Sequence, residues 1–251
     1  MDSPTFADVC HVFIDPEPNR GDWNMAIDEL LLTAAIERGQ CSVRLYRWSE
    51  PTISLGYFQS VDDLPTPLRL AGLPVVRRLT GGGAILHHHE LTYSCAVPAR
   101  HPLAHNPKDL YLRVHEQVIE VLAGFGIPVQ FRGDEDRQRS QEFLCFARGD
   151  SFDVVMSGGH KVLGSAQRRR KGSILQHGSL VLHCSDYVPQ FPGIGDLAVQ
   201  TIPLLDLTST LARALGIRLA AKWICHELTE ADIQRAHESL AKNDQRAKAT
   251  F

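Results

Sequence analysis

The sequence predicts an α/β protein of the α+β type, in which mixed β-sheets pack against helices and the C-terminal end, at about 205–251, is helical. Two segments, residues 21–40 and 107–128, carry apolar residues at the spacing of one helix face. Runs that alternate in polarity or are rich in β-branched residues lie between and after them, as strands do. The chain has 251 residues, 43% of them apolar, and no low-complexity linker. We therefore expect residues 1–251 to form a single domain.

The first half of the chain predicts one helix and then several strands. In the segment 21–40 the apolar face consists of Ile27, Leu30, Leu31, Ala34 and Ala35. Gly39 is a natural stop for this helix. The strand-like runs that follow are 42–48, 52–58, 72–79 and 83–97, and the last two are joined across three glycines.

The second half predicts a helix, a hairpin and a helical tail. The helix at 107–128 has an apolar face made of Leu110, Val114, Val118, Val121 and Leu122. Two later strand-like runs flank the sequence RRRKG, which indicates a β-hairpin. From about 205 the patterns are helical, and Thr229 is a suitable N-cap for the last helix.

Composition excludes several classes of function. The net charge of −3 gives no bulk attraction to nucleic acid. No run of 18 apolar residues is present, so no membrane span is expected, and the N-terminus lacks the basic region of a secretory signal. The six cysteines are scattered without a CxxC pair, which indicates reduced thiols. We expect a cytoplasmic protein.

The sequence RRLTGGGA, residues 77–84, is the most informative short motif. Three successive glycines allow positive φ and close approach of a ligand, and their N–H groups can surround an anion or a polarised carbonyl. Arg77 and Arg78 would add positive charge. The alternative is a simple hairpin turn, which a glycine run alone favours. Because no Lys-Ser or Lys-Thr follows and the spacing is not GxGxxG, this is neither of the common nucleotide loops.

Three histidines follow the glycines and raise the question of a metal. His87, His88 and His89 lie in a strand-like run, where neighbouring side chains point to opposite faces. Only His87 and His89 would share a face, and no third ligand stands at a zinc-site spacing. We therefore expect no metal site.

Four segments together resemble a known family. They read NMAIDELLL, PTISLGYFQ, RRLTGGGAILHHHELTYS and GGHKVLGSAQRRRKGSILQHGSLVL. They resemble the lipoate–protein ligase A and octanoyltransferase superfamily over residues 21 to about 183. The resemblance implies the biotin/lipoate ligase catalytic fold, which is related to class II aminoacyl-tRNA synthetases.

The resemblance also implies site residues. It makes Lys161 catalytic, and it assigns substrate binding to Arg78, Thr80, Gly81, Gly82, Gly83, Ala84, His87, Gly164, Ser165, Ala166, His177 and Gly178. His88 stands where the family usually has Asp, which puts a role for His88 in doubt.

The sequence CFARGDSFDVV resembles the segment that carries the nucleophile of LipM-like octanoyltransferases and places that nucleophile at Cys145. The resemblance then implies transfer of octanoyl from acyl carrier protein, through a cysteine thioester, to a lysine of a lipoyl-domain protein such as glycine cleavage H protein. That route needs no cofactor, because a thioester is already activated. The alternatives are a lipoate–protein ligase, which would need ATP and Mg, an amidotransferase between lipoyl domains, and a non-enzymatic lipoyl-domain binder.

Each of these residues also has a purely structural interpretation. Cysteine is often a small buried hydrophobe, and a strand lysine is often solvated. The basic residues 168–171 are either a docking patch for an acidic partner or a solvated turn. Leu79, Ile85 and Leu163 either line an acyl tunnel or belong to the core.

Overall fold

A computed structural model describes residues 7–133, 144 and 149–249. The helices are α1 (Gly21–Glu37), α2 (Thr66–Leu70), α3 (Pro102–His105), α4 (Pro107–Gly124), α5 (Ile194–Leu197), α6 (Leu204–Leu219) and α7 (Glu230–Ala249). The strands are β1 (Ala7–Ile14), β2 (Cys41–Tyr46), β3 (Thr52–Leu55), β4 (Val75–Arg77), β5 (Ile85–His87), β6 (Glu90–Val97), β7 (Gln130–Phe131), β8 (Val154–Val155), β9 (Lys161–Arg170), β10 (Ser173–Val181) and β11 (Ala220–His226).

The described strands form two sheets. The larger has eight strands in the order β11-β1-β2-β6-β10-β9-β8-β7, and the smaller has three in the order β4-β3-β5. In the larger sheet β1 runs parallel to β11 and β2, while the other neighbours are antiparallel. The predicted mixed α/β architecture is confirmed.

Helices cover both faces of the larger sheet. On one face α4 and α6 pack on the main core, which includes Val43, Leu110 and Leu211. On the other face α1 and α7 enclose a second core that includes Ile27 and Leu175. Because alternate residues of each strand point to opposite faces, strands β1, β6 and β10 contribute to both cores.

The predicted helices form for the expected reasons. The apolar face of α4 is buried, and the side chain of Asn106 caps its first turn by accepting a hydrogen bond from Lys108 N. Gly39, at φ +63°, follows the end of α1. The hairpin between β9 and β10 is also confirmed: Arg170 pairs with Ser173, and the two intervening residues have positive φ, as a tight hairpin turn requires.

Three strand predictions need correction. The run 83–97 is two strands, since β5 joins the small sheet and β6 the large one. The glycines do not form a hairpin turn, because β4 and β5 do not pair with each other: β3 lies between them. In the tail, expected to be helical throughout, β11 separates α6 from α7 and pairs with β1, a strand that the local sequence pattern did not indicate.

Candidate active site

The glycine loop, residues 79–84, runs from β4 to β5 and is folded against the turn that follows β3. A Cβ atom at Gly56 would overlap the carbonyl oxygen of Gly82, so the two backbones touch. Gly82 has φ +90°, which disfavours any other residue. A Cβ at Gly81 would meet nothing within 4 Å, so this part of the loop is open. The loop is therefore a backbone surface that a ligand can approach closely.

Arg78 holds the loop from behind. Its side chain is buried, and its guanidinium donates to the carbonyls of Gly81 (2.8 Å), Gly83 (2.6 Å) and Ser54 (2.8 Å). Its Nε also donates to Thr80 Oγ1 at 3.1 Å. These hydrogen bonds indicate that Arg78 fixes the conformation of the loop. Direct contact of Arg78 with a substrate stays a prediction.

A chain of buried polar groups connects the loop to α1. Thr80 Oγ1 lies 2.7 Å from His177 Nε2, and His177 Nδ1 donates to Asp28 Oδ2 at 2.9 Å. Asp28 also accepts from Ser94 Oγ at 2.6 Å and pairs with Arg44 at 3.5 Å. The chain fixes the orientation of the His177 ring and, through Thr80, the loop.

His87 belongs to a second buried network beside the loop. Its Nδ1 donates to Glu90 Oε1 at 2.7 Å, and its ring stacks on Trp48 with centroids 3.8 Å apart. Burial lowers the pKa of His87, so its Nε2 accepts the hydrogen bond from Ser54 Oγ at 2.7 Å. Burial acts to raise the pKa of Glu90, but the hydrogen bonds that it accepts from His87 and Thr92 hold that pKa below its ordinary value. His87 therefore supports Ser54, which Arg78 contacts in turn.

Lys161 begins β9 and forms a buried ion pair. Its Nζ lies 2.9 Å from Asp153 Oδ2, and both side chains are almost fully shielded from solvent. Burial raises the pKa of Asp153, although the charge of Lys161 opposes that rise. A Cβ at Gly164 would lie 2.5 Å from Lys161 Cε, so the glycine leaves the space that the lysine side chain occupies. The structure thereby connects two of the residues predicted from the resemblance.

The remaining predicted residues of the hairpin divide between its two faces. Ala166 is paired with His177 and shares the face towards α1. Ser165 and Gly178 are also paired, but they face α4. The Ser165 hydroxyl donates to His115 Nε2 at 2.6 Å, and His115 Nδ1 donates to the carbonyl of Phe152 at 2.7 Å. Ser165 and Gly178 thus serve the core of the sheet on this face.

Cys145 lies outside the described residues. The described residue before it in the sequence, Leu144, forms an isolated parallel β-bridge with Ala84 at the end of the glycine loop. Leu144 also helps to line a narrow pocket of about 30 Å³, with Ile85, Val188 and Phe191 among its apolar walls. Leu163 lies in the main core and Leu79 packs against the second core.

The structure adds residues that the sequence did not single out. Asp28 lies in the motif NMAIDELLL, and its partner His177 is distant in the sequence. Asp153 lies in the motif CFARGDSFDVV, and its partner Lys161 is the first residue of β9. Both carboxylates are buried, and the sequence alone did not indicate that burial.

Of the other histidines, His88 forms a hydrogen bond with Ser185 Oγ and stacks on His89. In the described part of the chain no three His, Cys, Asp or Glu side chains are arranged to hold a metal ion.

The fold is similar to that of solved lipoate-protein ligases. Solved structures that cover 95% of this chain include a lipoate-protein ligase A bound with ATP (TM-score 0.71, 19% identity, 95% of that chain) and a bipartite lipoate protein ligase from Thermoplasma acidophilum (TM-score 0.70, 18% identity, 93% of that chain). At this identity they show the fold. The predicted fold of the lipoate–protein ligases is confirmed.

Residues 21–190 match the family described as Lipoyl protein ligase A/B catalytic domain. The octanoyltransferase LipM of Moorella thermoacetica is 41% identical over 166 residues, which cover 63% of this chain and 60% of the relative. That of Staphylococcus epidermidis is 35% identical over 259 residues, which cover 90% of this chain and 93% of the relative. The chain belongs to the lipoyl protein ligase A/B catalytic domain family.

The matches differ in how much of each relative they cover. The first curated relatives are matched over 60–66% of their own length.

Among the helices that the structure describes, none is long and apolar enough to cross a membrane.

Proposed function

We propose that the protein is an octanoyltransferase of lipoate biosynthesis, which moves octanoyl from acyl carrier protein to a lysine of a lipoyl-domain protein through a thioester on Cys145. The support from relatives is the similarity to octanoyltransferases LipM, one of which is matched over 93% of its length. The observation that carries the proposal is the bridge between Leu144 and Ala84, since Cys145 follows Leu144 in the sequence.

In the first step the thiolate sulfur of Cys145 attacks the carbonyl carbon of the octanoyl thioester. A new C–S bond forms, the C–S bond to the carrier breaks, and the carrier thiolate takes the proton that Cys145 lost. One thioester replaces another, so no ATP is needed. A nearby cation favours the thiolate form of a cysteine, and Lys161 would supply it.

The tetrahedral intermediate of this step carries a negative oxygen. Backbone N–H groups of the open glycine loop would stabilise that oxygen, and fixed donors are effective because they need not reorganise during the reaction. The bonds from Arg78 and the contact between Gly56 and Gly82 fix this backbone in advance.

In the second step the amine nitrogen of an acceptor lysine attacks the octanoyl carbon. A C–N bond forms, the C–S bond to Cys145 breaks, and the proton lost by the amine restores the thiol of Cys145. The product is an amide, which is more stable than the thioester. Glycine cleavage H protein is the acceptor that we propose to test first.

Mass spectrometry of the intact proteins tests this proposal. The enzyme is incubated with octanoyl–acyl carrier protein and apo glycine cleavage H protein, without ATP. We expect an octanoylated acceptor and an octanoyl adduct on the enzyme. Both should disappear in Cys145→Ala and persist in Cys225→Ala, a matched control at an exposed cysteine.

The same assay separates the alternatives. Transfer that persists in Cys145→Ala contradicts the thioester route. Product that forms only with free lipoate or octanoate, ATP and Mg indicates the ligase. Transfer from an octanoylated H protein to a second lipoyl domain, with none from acyl carrier protein, indicates the amidotransferase. Absence of any acylation in all three arms leaves only the non-enzymatic binder.

A further inference from the structure

Tyr57 and Phe58 form an exposed aromatic pair in the turn that follows β3. Phe58 is 86% exposed and Tyr57 42% exposed. The two rings meet edge to face, with centroids 5.0 Å apart. Large aromatic side chains are enriched in protein–protein interfaces and often dominate their binding energy. A pair that the fold leaves in solvent is therefore a candidate contact surface.

This turn is fixed to the glycine loop. The N–H of Tyr57 donates to the carbonyl of Thr80 at 2.9 Å, and Arg77 donates to the carbonyl of Gln59 at 2.5 Å. The side chain of Gln59 closes the turn by accepting from the N–H of Gly56 at 3.0 Å. The aromatic pair is thus held beside the loop before any partner binds, which lowers the entropy cost of binding.

Positive charge adjoins the pair. The guanidinium carbon of Arg168, on β9, lies 4.6 Å from the centre of the Tyr57 ring. Because side chains alternate along a strand, Arg170 shares the face of Arg168, whereas Arg169 lies on the opposite face. Arg169 and Arg170 are both exposed. The charge next to the aromatic pair is local, since the chain as a whole has a net charge of −3.

We propose that Tyr57, Phe58, Arg168 and Arg170 form the docking surface for the acceptor, an acidic protein domain that presents the lysine to be acylated. This inference rests on the proposed function and assigns a surface to one of its partners. The arginines complement an acidic surface, and the aromatic pair supplies apolar contact.

The short length of a lysine side chain favours the acceptor, and not the acyl donor, as the partner that binds this surface. A lysine side chain is short, so the body of the acceptor must touch the rim of the glycine loop for its amine to arrive at the acyl group. A carrier that holds its acyl group on a long flexible prosthetic arm can deliver it from farther away. The turn at residues 56–59 is part of that rim, because it is bonded to Thr80.

Two rates, measured separately, test the docking surface. The first is acylation of the enzyme by octanoyl-pantetheine, a donor without a protein body. The second is kcat/KM for transfer from the acyl-enzyme to apo glycine cleavage H protein. In Phe58→Ser and Arg170→Glu we expect the first rate to be unchanged and kcat/KM to fall about tenfold, the size of one good interface contact.

Matched controls lie on the same chain. Arg169→Glu makes the same change of charge on the opposite face of β9, and Leu205→Ser removes an apolar side chain that is 82% exposed on α6. Both should keep the wild-type kcat/KM within about twofold. Wild-type kcat/KM in both Phe58→Ser and Arg170→Glu overturns the docking surface, as does an equal fall in Arg169→Glu. A fall confined to acylation by octanoyl–acyl carrier protein also overturns it and gives the surface to the donor. Failure of the wild-type enzyme to become acylated at all contradicts the proposed function instead.

Discussion

The two faces of the β9–β10 hairpin have different surroundings. On the face towards α1, His177 reaches Thr80 of the glycine loop. On the face towards α4, Ser165 joins Tyr93 and His115 in a buried chain of hydrogen bonds. Motifs such as GSAQ and QHGS therefore mix residues of a site with residues of a core. Adjacent positions in a family motif need not share a role, since strand neighbours point in opposite directions.

In the buried chain on the α4 face, each side chain donates a hydrogen bond to the next. Gln176 donates to the hydroxyl of Tyr93 at 2.8 Å, and that hydroxyl lies 2.6 Å from Ser165 Oγ. Ser165 then donates to His115, which donates to a backbone carbonyl. Fully satisfied networks of this kind stabilise one arrangement of a core. The α1 face instead presents its polar groups to an open loop.

The same substitution on the two faces should separate activity from stability. In Gly164→Ala the new Cβ displaces the end of the Lys161 side chain, which is flexible, and disturbs its pairing with Asp153. We expect the rate of enzyme acylation to fall about a hundredfold, because small misplacements of a catalytic group have large kinetic effects. Acylation by octanoyl-pantetheine, followed by mass spectrometry, measures this rate. A rate within about twofold of the wild type would show that Lys161 does not act where the structure has it.

Gly178→Ala makes the matching change on the α4 face. Its Cβ would lie 2.5 Å from Cε1 of Tyr93 and would overlap Ser165 Oγ, in a core that cannot yield easily. We expect a loss of about 2–3 kcal/mol in the free energy of unfolding, as is typical for overpacking. Urea denaturation measures it. The folded fraction should acylate at close to the wild-type rate, and a normal stability combined with a lost rate would reverse the two assignments.

His115 predicts a smaller effect that depends on pH. Burial lowers its pKa to about 3, a donated hydrogen bond to the Phe152 carbonyl opposes the shift, and Lys161 adds to it. In the unfolded chain the same histidine binds a proton at its ordinary pKa of 6.5. The stability that neutral His115 provides is therefore complete above pH 6.5 and is lost as the pH falls towards 3.

His115→Gln tests this dependence. Over that range we expect the free energy of unfolding of the wild type to fall by up to about 1.4 kcal/mol per pH unit more than that of His115→Gln. Denaturation at several pH values measures the difference, with His160→Gln as an exposed control. Identical pH profiles for wild type and His115→Gln would mean that His115 is not buried in its neutral form.

Local patterns predicted the long helices and the β9–β10 hairpin, but they did not predict the short helices α2, α3 and α5 or the pairing between distant segments. The apolar face of α4 is encoded within one short segment of the sequence, and so is the turn at Lys171 and Gly172. The glycine loop resembles a hairpin turn by the same local criteria, and it is not one because β3, earlier in the chain, separates β4 from β5. β11 was missed for the same reason, since its pairing with β1 spans most of the chain.

The candidate site shows the same division. The resemblance supplied Lys161, His177 and the glycines, which are residues with recognisable neighbours in the sequence. It did not supply Asp28, whose importance comes from being buried between His177 and Arg44. It also could not assign different roles to Ser165 and Ala166, because these roles depend on the face of the sheet to which each side chain points.

The most direct test of the whole account is to map the octanoyl adduct to a peptide after reaction with octanoyl-pantetheine. We predict an adduct on the peptide that contains Cys145, formed at similar rates in the wild type and in folded Gly178→Ala, and about a hundredfold more slowly in Gly164→Ala. An adduct on another cysteine, or equal rates in the two glycine variants, would contradict it.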